Sequence, residues 1–269
     1  MGGRNPSEEF GEIEVIRSPR GRTYSRIADF LESTLYKYAE FSNDFYRVMQ
    51  IRELTFGWGE AQNQSIIWHS MRESGLRVLP FSEHSYRLKT ENRRLDYWVL
   101  LRDIRAVLWV EYKHATAFVD RRRRFDAHNP VINGLNGIAE NWESDIWRLQ
   151  SMTRGTCDDL CLGPPNKEWP VLRVNLLALP ICRRIKKSKG QALTKEEKTV
   201  VDHQTVCSWR KSILQYWDQM TAPKFIAVWS LHKDLQLLQD WPDCQDKSIV
   251  WWDAYYGVYF FAWLDLLSK

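Results

Sequence analysis

Two apolar runs set four residues apart constrain this chain most. "RLDYWVLL" (residues 94–101) and "AVLWVEYKHA" (106–115) flank the link "RDIR". Both runs are rich in β-branched and aromatic residues, and so short a link predicts an antiparallel hairpin. Asp-Ile is not a favoured two-residue turn, so a longer loop is also open. A turn centred on Asp103 and Ile104 sets Asp96 directly opposite Glu111. Side chains alternate along a strand, so Trp109, Glu111 and Lys113 share one face while Leu108, Val110 and Tyr112 share the other.

Directly opposed residues have Cβ atoms roughly 4.5–5.5 Å apart, and two carboxylates that close repel and are costly to bury. Lys113 offsets part of that cost; a divalent cation offsets more. Mg²⁺, with Mn²⁺ as a substitute, takes hard oxygen ligands and needs only one or two carboxylates, water and phosphate completing its shell. Asp96, Glu111 and the backbone carbonyl of Tyr112 would make such a half-site, with Lys113 orienting or helping to deprotonate the attacking water. A second E-x-K, Glu196 and Lys198, falls on a predicted helix where positions i and i+2 do not face each other. A third carboxylate comes from Glu60. With Gln64, Ile67 and Met71 it forms a helical stripe, although a place in the first turn explains it equally well by the helix dipole. Glu53 is a weaker substitute.

The rest of the 269 residues reads as mixed α/β. Residues 1–22 are expected to form a flexible N-terminal arm, and 23–269 a single α/β domain. Ile27, Phe30, Leu31, Leu35 and Tyr38 lie on one helical stripe. A second helix runs from Glu60 to Ser74 and stops at Gly75. "NGIAENWESDIWRLQSM" is helical, "WPVLRVNLLALPI" a buried strand and "RRIKKSKGQAL" a charged loop. Thr194 and Glu197 form a capping box that opens a long helix to about Met220, followed by the strand "KFIAVWSL". The aromatic tract "SIVWWDAYYGVYFFAWLDLL" is interrupted by Asp253 and Asp265 and reads as a buried strand or core helix, not a membrane span.

Apolar residues make up 44% of the chain, enough for a sizeable core, and the net charge of +4 is too mild to argue nucleic-acid binding by itself. Five cysteines without repeated spacing argue against a disulfide framework and for a reducing compartment, and no secretory signal is visible; the expectation is a soluble cytoplasmic protein. Cys157 and Cys161 lack the paired partners of a zinc site.

The constellation resembles the PD-(D/E)xK nuclease superfamily. A helix with Glu60, a strand with Asp96, a strand with Glu111-Tyr112-Lys113, then a helix and a strand follow that order over residues 58–182, with 194–269 as a C-terminal extension. Leu95 stands where the name-giving proline would be. The resemblance implies a restriction-endonuclease-like core, a mixed central sheet flanked by helices with additions at both ends. It also implies Mg²⁺-dependent phosphodiester hydrolysis, DNA as the usual substrate, and a setting in defence against foreign DNA. Asp96 and Glu111 would be ligands and Lys113 would orient water.

The run Arg121, Arg122, Arg123 and Arg124 follows that strand and suits phosphate oxygens through forked donors. "RRIKKSK" (183–189) reads as a surface loop. Trp58 and Trp142 are the better candidates for exposed stacking rings, and His114 turns away from Lys113. The leading expectation is a metal-dependent nuclease, acting alone, as a homo-oligomer or with a partner subunit. The alternatives are a catalytically inactive fold serving as a nucleic-acid or protein interaction module, and a structural subunit using the aromatic tract as an interface.

Overall fold

A computed structural model describes residues 10–49, 55, 60–75, 77–88, 91–120, 135–153, 168–236 and 238–267. In chain order the elements are β1 (Gly11–Arg17), α1 (Arg22–Met49), α2 (Glu60–Arg72), β2 (Val78–Leu88), β3 (Glu91–Leu101), β4 (Ala106–His114), β5 (Ala117–Phe118) and α3 (Leu135–Gln150). There follow β6 (Val171–Ser188), α4 (His203–Ser208), α5 (Arg210–Leu214), β7 (Phe225–Leu231), β8 (Leu238–Pro242) and β9 (Ile249–Leu266). The chain is therefore α/β, with nine described strands in one sheet of order β1-β7-β9-β6-β4-β3-β2; β5 adds to β6 and β8 to β9.

The sheet is mixed. β4 and β6 run parallel, joined through α3 as a crossover, and most other pairs are antiparallel. One face packs against α1 and α2, where Ile27, Phe30, Leu35, Tyr38, Ile67 and Met71 join Leu108, Val110 and Tyr112 of β4. The opposite face packs against α3, α4 and α5 through Trp142, Ile146, Val206, Trp209 and Ile213. The helical stripe in α1 is thus buried as its periodicity requires. Gly75, at φ 84, follows α2 in the left-handed region that favours glycine at a helix end.

The hairpin has the expected register: Tyr97 pairs with Val110 and Leu101 with Ala106. Its loop works without Gly or Asn because Arg105 takes φ 53, a left-handed conformation costing on the order of 1 kcal/mol.

Four expectations are corrected. Residues 11–17 of the supposed arm form an edge strand on β7, held by Trp229, whose indole N–H donates to the Phe10 carbonyl at 2.9 Å. The C-terminal segment is no extension beyond the core: β9 lies between β7 and β6 and its residues Ala254–Leu264 are buried, so the aromatic tract is a buried strand, one of the two forms expected for it, and not an exposed interface. The basic stretch 183–188 is the end of β6, where Arg184 faces Asp253 and Lys187 meets Glu197 at 2.8 Å.

The long helix after Thr194 is absent. Thr194 and Glu197 do make the reciprocal bonds of a capping box, at 2.7 and 3.2 Å, but only a turn follows. Burial works against the Glu197 charge, yet Lys187 and Thr194 overcome it and bring its pKa to about 2. The box thus locks this loop onto β6, and the chain restarts at Asp202, which caps α4.

Gly257 marks a close approach between β7 and β9. A Cβ there would lie 2.7 Å from the Trp229 carbonyl, so β7 and β9 pack at this point only around glycine.

Candidate active site

β4 is paired on both sides only along its first half. From Glu111 onward β6 remains alongside, while the β3 ladder ends at Tyr97–Val110. Asp96 sits at the point of divergence. Its carboxylate accepts the Tyr112 backbone N–H at 2.7 Å, a donor on the stretch of β4 that β3 no longer pairs. Strand β3 changes character there as well: Leu95 packs on the α3 side and Tyr97 on the α1–α2 side, which breaks strict alternation at Asp96.

Around this opening the structure gathers five of the residues singled out in the sequence: Asp96, Glu111, Tyr112, Lys113 and Glu60. Glu111 is 1% exposed. Lys113 lies 3.7 Å from Glu60, the first residue of α2, whose next turn is tied to β3 by Tyr97 donating to the Gln64 carbonyl at 2.6 Å. Tyr112 meets Asp96 through its N–H. Arg121–Arg124, Glu53, Trp58, Cys157 and Cys161 lie outside the described residues. Trp142 is a correction: it is buried, with its indole N–H donating to the Thr221 carbonyl at 2.8 Å.

Two members of the cluster were missed. Asp145 and Arg148, one helical turn apart on α3, complete a chain of charges. Lys113 is 3.8 Å from Asp145, Asp145 is 3.3 Å from Arg148, and Arg148 contacts the Glu111 Oε2. Their signal was available, because Asp145 falls on the stripe of Trp142, Ile146 and Leu149, the same anomaly that flagged Glu60. Asn175 was equally visible as a polar residue inside an aliphatic strand. It is fully buried beside Glu111 in the parallel register and donates to the Trp142 carbonyl at 3.0 Å.

The electrostatics are those of crowded acids. Burial pushes the Glu111 carboxyl up to about 9; Arg148 pulls against this, Asp96 and Asp145 add to it, and Lys113 opposes it. Burial also raises Asp145, with Lys113 and Arg148 opposing. The Oε1 of Glu111, the Oδ2 of Asp145 and the Oδ1 of Asn175 are buried acceptors without a hydrogen-bond partner. A cavity of about 250 Å³, lined among others by Glu60, Lys113, Asp145 and Leu177, opens at this end of β4.

Hard oxygen donors with spare acceptor capacity suit Mg²⁺ or Mn²⁺ in type. In number they suit an ion that keeps water or phosphate in its shell. Among the described residues these carboxylates do not bring three oxygens within 4.8 Å of one another; the one trio of acidic, His or Cys ligand atoms that does so is Glu14, His203 and Cys207.

No family model matches the chain, and no curated protein or solved structure matches it either. No helix among the described residues is long and apolar enough to cross a membrane.

Proposed function

We propose that the chain is a metal-dependent nuclease of the PD-(D/E)xK type, with a restriction-endonuclease-like core, that hydrolyses phosphodiester bonds in DNA. The observation that carries this reading is Glu111: a carboxylate 1% exposed, with one oxygen unpartnered, beside Asp96 and Lys113 where the β3 ladder leaves β4. Free acceptors on buried acids are rare in proteins unless a cation or substrate uses them.

In this reading Asp96 and Glu111 hold the ion, with the Tyr112 carbonyl as a further oxygen. The bound Mg²⁺ or Mn²⁺ supplies charge neutralisation and a water of lowered pKa. Lys113 orients that water, and Glu60 and Asp145, both within 4 Å, hold its ammonium in place. Arg148, which contacts Glu111 Oε2, would balance part of the negative charge of the carboxylates that hold the ion. The Arg121–Arg124 run, between β5 and α3 in the sequence, supplies phosphate contacts.

A second reading has its own support. Arg148 already brings a positive charge to Glu111, which suits an inactive fold that binds nucleic acid or protein. Incubating plasmid and single-stranded DNA with the protein, with and without Mg²⁺ and chelator, separates the two. Chelator-sensitive cutting that disappears in Glu111→Ala and Lys113→Ala is expected. Cutting that survives both substitutions defeats the site, and binding without cutting in any metal favours the second reading.

A further inference from the structure

A separate cluster lies at the other end of the sheet, where β1 meets α4. We propose that Glu14, His203 and Cys207 form a metal centre for a thiophilic divalent cation of the zinc class. Their three ligand atoms lie within 4.8 Å of one another. His203 Nε2 is 3.0 Å from Glu14 Oε2, Cys207 Sγ is 3.3 Å from the same oxygen, and Sγ is 3.5 Å from Nε2. Tetrahedral zinc with bonds of about 2.0–2.3 Å spaces its N, O and S ligands roughly 3.3–3.5 Å apart. Sγ also lies 3.8 Å from Nδ1, over the ring, so rotation of the Cys207 side chain toward Nε2, together with expansion by a few tenths of an ångström, admits the ion.

The supporting groups are those a metal ligand needs. His203 Nδ1 lies 2.7 Å from Ser230 Oγ, on a serine only 4% exposed, which fixes the ring and turns Nε2 toward the cluster. Asp202 caps α4 and sets His203 and Cys207 at positions i and i+4, on one helical face. Glu12, two residues before Glu14 on the same face of β1, has its Oε2 3.9 Å from His203 Nε2 and is within reach as a fourth ligand. Glu14 and His203 side chains are 52% and 22% exposed, so the site opens to solvent.

A cysteine–histidine nucleophile fits less well. The thiol lies over the ring, 3.5 Å from Nε2 and 3.8 Å from Nδ1, out of line with either nitrogen; the carboxylate already meets Nε2, and Nδ1, where an orienting acid belongs, meets a serine. A thiolate, an imidazole and a carboxylate select zinc-like ions over Mg²⁺, so this centre is chemically distinct from the carboxylate cluster at Glu111. On uptake the Cys207 S–H bond breaks, an S–metal bond forms and that proton leaves to solvent; the Nε2 proton that faces the Glu14 carboxylate gives way to an N–metal bond, and the ring keeps a single proton, on Nδ1 and bonded to Ser230 Oγ. The centre would staple β1 to the segment that carries α4.

The test is titration of the metal-free, reduced full chain with Co²⁺. One equivalent is expected to bind, giving the visible bands of tetrahedral cobalt and a thiolate-to-cobalt charge-transfer band, all displaced by one equivalent of Zn²⁺. Cys207→Ser should remove the charge-transfer band. Ser230→Ala should keep it while weakening affinity about 10–100-fold. In the unaltered chain, Zn²⁺ should protect Cys207 from iodoacetamide, read by peptide mass mapping, which keeps the test valid if a variant misfolds. A thiolate band that survives Cys207→Ser, an absence of stoichiometric uptake, or unprotected Cys207 in the zinc-loaded chain would overturn the assignment.

Discussion

Glu111 and Asp253 are both strand carboxylates, 1% and 4% exposed, and both meet an arginine, yet the two pairs differ in completeness. Arg184 stands directly across from Asp253 and forks onto it, with Nε and Nη2 each 2.9 Å from a different oxygen. The same guanidinium lies over the Phe118 ring, 4.6 Å from its centre. Arg148 reaches a single oxygen of Glu111 and leaves Oε1, its own Nε and the Asp145 Oδ2 without hydrogen bonds. A pair that serves the fold uses up its donors and acceptors. Burial alone therefore does not set the two pairs apart; the unpartnered buried acceptors do.

Activity should separate the pairs most widely. Glu111→Gln keeps shape but removes the charge, and Lys113→Ala removes the water-orienting ammonium. Each is expected to lower Mg²⁺-dependent cleavage by about 10²–10⁴-fold. Arg184→Met, assayed where it remains folded, should cleave at the unaltered rate. Equal losses in both pairs would erase the distinction.

Stability should show the reverse. Arg184→Met leaves the Asp253 charge buried without its partner, which should cost about 3 kcal/mol in urea denaturation. Glu111→Gln should cost far less at neutral pH, because a carboxyl whose pKa is raised to about 9 is already protonated there without metal.

The pH dependence sharpens this. A raised folded-state pKa means that the folded chain binds the Glu111 proton more tightly than the unfolded chain. This contribution is fully present below the ordinary carboxylate range and is lost progressively as pH rises toward about 9. Metal-free protein should accordingly lose stability over that window, and Glu111→Gln should flatten the slope. Thermal melts across pH, with chelator present, would measure it; an unchanged slope would mean that Glu111 is charged throughout.

Much of this site was legible where one short-range rule decides. The short link fixed the hairpin register, and alternation put Glu111 and Lys113 on one face. Glu60 and Asp145 could both be read as acids on apolar helical stripes, although only Glu60 was. What could not be read depends on partners distant in sequence. The basic end of β6 looks like a loop until β9 offers Asp253 across from Arg184. The capping box of Thr194 and Glu197 looks like a helix start until Lys187 claims the same carboxylate. The end of the β3–β4 ladder at Asp96, which opens the site, follows from how two strands part and carries no local sequence signal.

The smallest expected effect concerns how the incomplete pair is held. Arg173, a neighbour of Trp109 in the parallel register, donates Nη1 to the carbonyls of Leu149, Gln150 and Met152 at 3.3, 2.9 and 3.1 Å. Its Nη2 contacts Asp265, which lies across from it on β9. The last carbonyls of a helix lack partners within the helix, and a cation there also complements the dipole. Arg173 thus anchors the end of α3 that carries Asp145 and Arg148. Arg173→Gln should cost about 1 kcal/mol, because those carbonyls can turn to water. Its sharper signature is local: faster amide exchange at Ser151 and Met152, whose N–H groups close the final turn, with β7 and β9 unchanged. Uniformly faster exchange would instead make Arg173 a support of the whole sheet, in the manner of Arg184.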